Sequence, residues 1–127
     1  MVATVAMDTS ALMMPVEADV RVFDELERLL GDFECVVPEA VRDELAKIAD
    51  GGNGEEAVAA SVGADLAAER CRTVDHEASY ADDALVELAG EFDYVVTNDG
   101  PLKGRVLDAG TPVIHIRGRN KLAVSQP

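Results

Sequence analysis

Hydrophobic residues along this chain fall into short β-branched runs that are separated by longer stretches with helical spacing. The clearer runs are continuous rather than alternating, which is typical of strands covered on both faces of a sheet. They are "TVAM" at 4–7, "ECVV" at 34–37, "RTVD" at 72–75, "YVVT" at 94–97 and "PVIHI" at 112–116. Of these, "RTVD" is the weakest strand prediction.

The stretches between the runs repeat apolar residues at the period of a helix. Val41, Leu45 and Ile48, for example, share one face. The spacing predicts helices over 19–30, 38–49, 55–70, 79–92 and 100–109. Pro38 begins the second of these helices, and Ser79 is a good N-cap for the fourth, with Asp82 three residues on.

Strand–helix alternation predicts an α/β fold, a three-layer α/β/α sandwich around a mostly parallel sheet with right-handed crossovers. The chain has 127 residues, of which 48% are hydrophobic and 4% aromatic, with no Trp. This length suits a single domain, 1–127, with a core of Val, Leu, Ile and Ala.

The two cysteines, Cys35 and Cys71, lack the CxxC or Cys/His spacing of a zinc site. We interpret both as reduced cytosolic thiols. The apolar N-terminal run has no basic flank and is interrupted by Asp8, so it does not indicate a signal peptide. No stretch approaches the ~20 apolar residues of a membrane span. We therefore expect a cytoplasmic protein without membrane association.

The net charge of −14 is unevenly distributed. Most acids are interpreted as a solvated surface of the halophile-like kind that salt-adapted proteins use. Residues 100–127, however, carry five basic residues against the single acid Asp108: Lys103, Arg105, Arg117, Arg119 and Lys121. These side chains are candidates for RNA binding. The alternative is that they only pair with the acidic surface.

Two acids follow apolar runs directly. Asp8 ends the first run, and Asp99 follows the fourth. In an open α/β sheet, ligands bind beyond the carboxyl ends of the strands, so the two carboxylates would face one crevice if their strands are neighbours. The structural alternative is that each acid only caps the helix after it.

Further acids lie on the predicted helices. Glu44 falls on the rim of the apolar stripe of its helix, which suits either a site residue or a partly buried edge residue. In "YADDAL", residues 80–85, Asp82 lies nearer the apolar stripe on a helical wheel than Asp83 does. Asp82 can also take part in capping the helix, so Asp83 is the acid without such a structural role. The wheel is a weak guide to the direction of a side chain in the first turn of a helix.

Carboxylates that converge must be protonated or bind a cation. Oxygen ligands without nearby His or Cys select Mg²⁺, Mn²⁺ or Ca²⁺. His76 and His115 are interpreted as structural residues. Since the chain has no glycine-rich phosphate loop, the pattern favours a metal-assisted, phosphate-processing site.

Four segments together resemble the PIN-domain ribonucleases over essentially the whole chain. They are "MDTSALMMP" at 7–15, "VVPEAVRDEL" at 36–45, "YADDALVELA" at 80–89 and "VVTNDGPLKGRVLDAGTPVIHIRGRNKL" at 95–122. The resemblance is greatest to archaeal PIN proteins related to small-subunit rRNA-processing nucleases, and next to the toxin-type, VapC-like branch. It implies a five-stranded parallel sheet of order 3-2-1-4-5, in which the first and fourth strands are neighbours.

The resemblance also implies roles for individual residues. Asp8, Glu44, Asp83 and Asp99 match the acids of the family's catalytic site, and Mg²⁺ or Mn²⁺ would be held by Asp8, Asp83 and Asp99, with Asp82 as a further contributor. For the third acid, the match to Asp83 disagrees with the wheel. The positions that orient these ligands are matched by Thr9, Ser10, Thr97 and Asn98.

These observations lead to the hypothesis of a metal-dependent endoribonuclease with a role in rRNA processing. The alternatives are a toxin of a toxin–antitoxin pair, a non-catalytic RNA-binding ribosome-assembly factor and, last, a phosphoryl-transfer domain with Asp8 as acceptor. The expected partners are RNA and either an antitoxin or a ribosome-assembly protein, and the expected assembly is a homodimer.

Overall fold

A six-stranded, mostly parallel sheet forms the centre of the protein, whose residues 2–127 are described by a computed structural model. The strands are β1 (Ala3–Met7), β2 (Phe33–Pro38), β3 (Cys71–Val74), β4 (Tyr94–Val96), β5 (Val113–Ile116) and β6 (Leu122–Ser125). Their order is β3-β2-β1-β4-β5-β6, with β1 to β5 parallel and β6 antiparallel to β5. The expected order 3-2-1-4-5 is confirmed, including the weakest strand prediction.

Six α-helices connect and flank these strands. They are α1 (Thr9–Glu17), α2 (Val22–Leu30), α3 (Glu39–Ala49), α4 (Glu55–Arg70), α5 (Ala81–Leu88) and α6 (Gly100–Asp108), and one turn of 3₁₀-helix, Ala89–Glu91, follows α5. Within residues 2–127, none of them has the length and apolar character needed to cross a bilayer.

The central strand β1 shows that helices cover both faces of the sheet. Successive side chains of a strand point to opposite faces, yet Val5, Ala6 and Met7 are all fully buried. Met7 pairs with Val96 of β4, so β1 and β4 end at the same edge of the sheet. The carboxyl ends of two buried strands therefore meet where the first and fourth motifs place their acids.

Helix α1 was not predicted, because its sequence lacks a polar face. Five of its nine residues are buried, including the consecutive residues 11–14, and Pro15 lies inside it. It packs closely on α4: a Cβ on Gly63 would lie only 2.8 Å from the carbonyl oxygen of Leu12. A helix that is enclosed this fully has no 3.6-residue period to detect.

Strand β6 corrects the expectation of five strands. The segment 117–121, called the basic turn here because it carries Arg117, Arg119 and Lys121, reverses the chain into an antiparallel hairpin. Gly118 and Asn120 supply its left-handed backbone, with φ of 70° and 47°. A Gly and an Asn at such positions are the sequence signal of a reversal.

Helix α2 holds this hairpin in place. Glu25 accepts a hydrogen bond from the Leu122 amide at 3.0 Å, and Arg28 donates to the Leu122 carbonyl at 3.0 Å. The hydrogen bond from Arg28 is the main reason that the pKa of Glu25 is lowered from 4.5 to about 2. The carboxyl-terminal hairpin is thus fixed at the edge of the sheet where β4 and β5 end.

The prediction of reduced thiols is wrong, because Cys35 and Cys71 form a disulfide. They are register partners on the neighbouring strands β2 and β3, with Cα atoms 4.6 Å apart. That separation lies inside the range that a disulfide bridges. Spacing along the sequence could not reveal the pairing, since 36 residues separate the two cysteines.

Candidate active site

Asp8 occupies the turn between β1 and α1, and its carboxylate is almost fully buried, with 4% exposure. Its Oδ1 accepts a hydrogen bond from the Ser10 amide at 2.8 Å. Its Oδ2 accepts hydrogen bonds from the Ser10 hydroxyl at 2.9 Å and from the Thr97 hydroxyl. The carboxylate is therefore fixed by three donors, one of which comes from the neighbouring strand end.

Burial raises the pKa of Asp8 from 3.8 to about 6. The hydrogen bonds from Thr97 and Ser10 oppose this rise, and the negative charge of Asp82 adds to it. Removing a carboxylate from water disfavours its charged form, and the three donors offset only part of that cost. Asp8 is thus an acid that would gain from a nearby positive charge.

Asp99 occupies the corresponding turn between β4 and α6. Its Oδ1 caps α6 by accepting a hydrogen bond from the Leu102 amide at 3.0 Å, while its own amide donates to the Thr97 hydroxyl oxygen at 3.0 Å. Because Thr97 also donates to Asp8, one buried hydroxyl connects both strand-end acids. Each of the two acids caps a helix and also lies at the common edge of the sheet, so the capping role and a shared site are compatible.

The residues expected to orient the ligands differ in what they contact. Ser10 and Thr97 bind Asp8 directly, and their hydroxyl oxygens lie 3.4 Å apart. Asn98 contributes through its backbone amide, which donates to Ser10 Oγ at 3.0 Å. The buried hydroxyl of Thr9 has no hydrogen-bond partner within residues 2–127.

A cleft of about 240 Å³ opens above Asp8 at this edge of the sheet. We call it the acidic cleft, and the carboxylates that line it are those of Asp8, Glu17, Glu44, Glu56, Asp82 and Asp99. The sequence reasoning missed Glu17 and Glu56. They lie at the last residue of α1 and in the first turn of α4, and only the packing of these two helices brings them to the cleft.

Glu44, on α3, reaches the acidic cleft from the rim of its helix, while its neighbour Leu45 is fully buried. The first turn of α3 is held by His76, whose Nε2 accepts a hydrogen bond from the Ala40 amide at 2.9 Å. His115 likewise binds backbone and a serine hydroxyl. The histidines thus make structural contacts, as interpreted from the sequence.

The two adjacent acids of α5 have different surroundings. Asp82 lines the acidic cleft, whereas Asp83 forms an ion pair with Arg105 at 2.9 Å and is not among the lining residues. The pKa of Asp82 is raised, chiefly by burial and then by the negative charge of Asp99. This arrangement agrees with the helical wheel and differs from the assignment implied by the resemblance.

The capping prediction for α5 is wrong, because Tyr80 and not Ser79 is the N-cap residue, and no side chain among the described residues caps the helix. Asp82 therefore does not take part in a capping box. Its carboxylate is left to the cleft, where its position is set by the packing of α5.

The oxygen-only lining suits a hard divalent cation such as Mg²⁺ or Mn²⁺. Within residues 2–127, however, no three acidic, His or Cys side chains lie close enough to hold one ion together. Mg²⁺ commonly keeps several waters and binds through one or two carboxylates, so this donor set still fits it. The burial of the Asp8 carboxylate and the unpartnered hydroxyl of Thr9 also suit a divalent cation in the cleft.

The basic residues expected to bind RNA form two groups. On α6, Lys103 is half-buried and Arg105 is engaged by Asp83. In the basic turn, Lys121 lies 3.9 Å from Glu25, whereas Arg117 and Arg119 are exposed and form no ion pair within the described residues. Since β5 ends beside β4, the basic turn lies at the same edge of the sheet as the acidic cleft.

Comparisons with known proteins agree with this architecture. A family model described as a PIN like domain matches residues 5–119. The chain is 30% identical over 115 residues to Ribonuclease VapC4 of Methanocaldococcus jannaschii, a match that covers 87% of each chain.

Two solved structures share the fold. The PIN domain endonuclease Utp24 is similar with a TM-score of 0.76 and 22% identity, covering 98% of this chain and 92% of the other. A domain of a functionally unknown protein from Methanocaldococcus jannaschii has a TM-score of 0.62 and 19% identity, covering 91% and 92%.

Proposed function

Because this chain belongs to the PIN-like domain family, we propose that it is an endoribonuclease that depends on Mg²⁺ or Mn²⁺ and hydrolyses phosphodiester bonds of RNA. The observation that carries the proposal is the acidic cleft. Acids from all four sequence motifs line it: Asp8, Glu44, Asp82 and Asp99. The ribonuclease activity named for the VapC4 relative supports the same reaction class.

A metal ion bound here would supply a reactive water and stabilise charge on the phosphoryl oxygens. We propose that one or two of the carboxylates of Asp8, Asp82 and Asp99 hold the ion directly and that the others reach it through bound water. Ser10 and Thr97 keep the Asp8 carboxylate in one orientation through their hydrogen bonds. Preorganised ligands of this kind need no rearrangement when the substrate arrives.

Glu44 is proposed to position the attacking water. It lines the acidic cleft from α3, and it makes no hydrogen bond or ion pair to another protein group within the described residues. Asp83 is proposed to act through its ion pair with Arg105, which orients the first turn of α5 against α6. The structure therefore supports Asp82 as the third acid of the site.

The cellular role that we propose is rRNA processing, since the segments around "YADD" and "HIRGRNKL" resemble the nucleases of that branch. A toxin role is the second candidate, favoured by the 30% identity to Ribonuclease VapC4. The first role predicts a ribosome-assembly protein as partner and the second an antitoxin. Toxicity on expression, relieved by a protein encoded beside this one, would identify the second role.

The adjacent acids of α5 provide the experiment for this proposal. Asp82→Asn and Asp83→Asn each remove one charge from the same helical turn, so they form a matched pair. With Mn²⁺ and an end-labelled single-stranded RNA, we expect Asp82→Asn to lower cleavage by about 10²-fold or more, the scale of losing one electrostatic contact to a reacting group. We expect Asp83→Asn to retain most activity.

The cleavage products should carry 5′-phosphate and 3′-hydroxyl ends, as the family resemblance implies. Equal losses in the two variants would contradict the assignment of Asp82. RNA that is bound but never cut by the unmodified protein, with either metal, would instead support the non-catalytic assembly factor.

A further inference from the structure

Tyr80 is the most exposed large hydrophobic residue among residues 2–127, with 74% of its surface accessible. A single exposed aromatic residue is common and has no meaning alone. The surroundings of this one are unusual, because it lines a pocket of about 160 Å³ next to the acidic cleft. Glu44 lines both, so the pocket and the cleft are adjacent.

The pocket lies between α3 and the start of α5. Ala40 and Ala81 contribute apolar surface, and Lys47 contributes a cation on the same side as the carboxylates of Asp43 and Glu44. Its volume is below the roughly 300–1,000 Å³ of sites for drug-sized molecules, so it suits one flat ring rather than a larger ligand.

The backbone that carries Tyr80 is firmly held although the ring itself is in solvent. His76 accepts a hydrogen bond from the Ala40 amide at 2.9 Å, and its Nδ1 lies 2.7 Å from the Ala78 carbonyl oxygen. The carboxylate of Glu87 accepts hydrogen bonds from the backbone amides of residues 77 and 78, both at 2.9 Å. A ring on a fixed loop has only two side-chain torsions left to order, so a stacking partner loses little free energy to ordering it.

We propose that Tyr80 and Lys47 form a nucleotide subsite beside the acidic cleft, in which an unpaired base stacks on the Tyr80 ring and the adjoining phosphate contacts Lys47. The inference rests on the proposed function and extends it to how the substrate is recognised. Bases of single-stranded RNA stack readily on exposed aromatic side chains. The ligand is thus an unpaired stretch of RNA, not a duplex.

Stacking also answers a difficulty that the charge of the protein creates. A chain with net charge −14 repels RNA over most of its surface. Stacking depends on the flat face of a base and not on charge, so it contributes affinity even close to the acidic cleft. Additional lysine or arginine side chains at this place would form ion pairs with the metal-binding acids and not with RNA. The subsite would hold the strand on one side of the cleft and the basic turn would attract its phosphates.

The chain offers a direct readout, because it contains two tyrosines and no tryptophan. In an Asp8→Asn background, which is expected to bind RNA without cutting it, Tyr94→Phe leaves Tyr80 as the only emitter. Tyr80→Phe leaves only Tyr94, which lies at another pocket, beside Ala3 and Pro112, and serves as the matched control for absorption by the RNA. A short single-stranded RNA should lower emission more in the first variant than in the second, whose loss measures absorption by the RNA alone.

Affinity supplies the second measurement, by anisotropy of a labelled single-stranded RNA. Tyr80→Ala should weaken binding by about 5- to 140-fold, the range for loss of one stacked base, and leave the salt dependence unchanged. Tyr80→Phe should bind like the parent, since the ring is retained. Lys47→Ala should lower the slope of log affinity against log salt by about 0.7.

Three results would overturn the subsite. If RNA binds while Tyr80 emission and the affinity of Tyr80→Ala stay unchanged, the base lies elsewhere and the proposed ribonuclease function is untouched. If Tyr80 emission changes with protein concentration in the absence of RNA, this surface contacts a second copy of the chain. If the protein neither binds nor cuts single-stranded RNA, both proposals fail.

Discussion

The charge of Asp8 should destabilise the folded protein, although the residue lies at the centre of the proposed active site. The pKa of its buried carboxyl group is raised from 3.8 to about 6. One pKa unit corresponds to 1.36 kcal/mol, so the charged form costs the folded state about 3 kcal/mol. Asp8→Asn removes that charge and keeps an oxygen acceptor for the Ser10 amide, but its amide nitrogen replaces Oδ2, so the hydroxyls of Ser10 and Thr97 lose their acceptor at every pH.

The sign of the pH dependence follows from proton binding. Between about pH 3.8 and pH 6, the folded protein retains a proton on Asp8 that the unfolded chain has lost, so stability falls as pH rises through this window. Below the window Asp8 is neutral in both states and resembles Asn. The free energy of unfolding of Asp8→Asn, relative to that of the unmodified protein, should therefore rise by about 3 kcal/mol between pH 4 and pH 7, since the lost acceptor costs the same at both pH values.

Urea unfolding followed by circular dichroism, at several pH values with EDTA present, measures this difference. The other acids titrate in both proteins, so their contributions cancel in the comparison. Asp65→Asn removes the same charge from an exposed position of α4 and is the control for general charge repulsion. A rise in this difference of less than about 1 kcal/mol between pH 4 and pH 7, or one equal to that of the control, would refute the argument that burial of the charged Asp8 is costly.

The same variant tests whether the cleft binds metal. Mn²⁺ at 100 times its dissociation constant would stabilise a folded protein by about 2.7 kcal/mol if it does not bind the unfolded chain. We expect this gain in the unmodified protein at pH 7 and its loss in Asp8→Asn. An equal response to Mn²⁺ in both proteins would show that the ion binds the acidic surface at large.

Two further predictions concern the scaffold and the RNA-binding surface. Gly63→Ala should destabilise the protein by about 1–2 kcal/mol in urea unfolding, because the new Cβ would meet the backbone of α1. The control Gly104→Ala has open space around the new Cβ, so it should be neutral or stabilise the protein by up to about 1 kcal/mol. Replacing the three basic residues of the basic turn by Ala should lower the slope of log RNA affinity against log salt by about 2. The control Arg72→Ala, outside the acidic cleft, should leave this slope unchanged. An unchanged slope in the triple variant would mean that RNA binds elsewhere.

Much of the fold could be predicted because its parallel strands are local runs of β-branched residues. The elements that were missed depend on tertiary contacts. Helix α1 is enclosed on too many sides to show a polar face, and β6 is fixed by Glu25 and Arg28 of α2, far away in the sequence. The disulfide between Cys35 and Cys71 likewise depends on strand register, which sequence spacing does not contain.

The strand-end acids could be found from the sequence because two independent constraints act on them. Each follows a buried strand and precedes a helix, so the turn chemistry and the topology of a parallel sheet both identify the position. Glu17 and Glu56 have no such signal. They sit on helix ends in an acid-rich chain, and they are distinguished from other surface acids only by the packing of α1 on α4.

Helical periodicity indicated the third acid, since the wheel placed Asp82 nearer the apolar stripe than Asp83, but it did not fix the direction of the first turn of α5. A wheel assigns faces reliably in the middle of a helix, but the direction of the first turn depends on how the preceding loop enters it. Here the loop is fixed by His76 and Glu87, the helix begins after Tyr80, and Arg105 binds Asp83 on the side facing α6. Each of these contacts crosses from one element to another, and together they leave Asp82 as the acid that faces the cleft. Two adjacent aspartates can therefore differ in their surroundings, and here the contacts between elements place Asp82, and not Asp83, at the acidic cleft, as the wheel indicated.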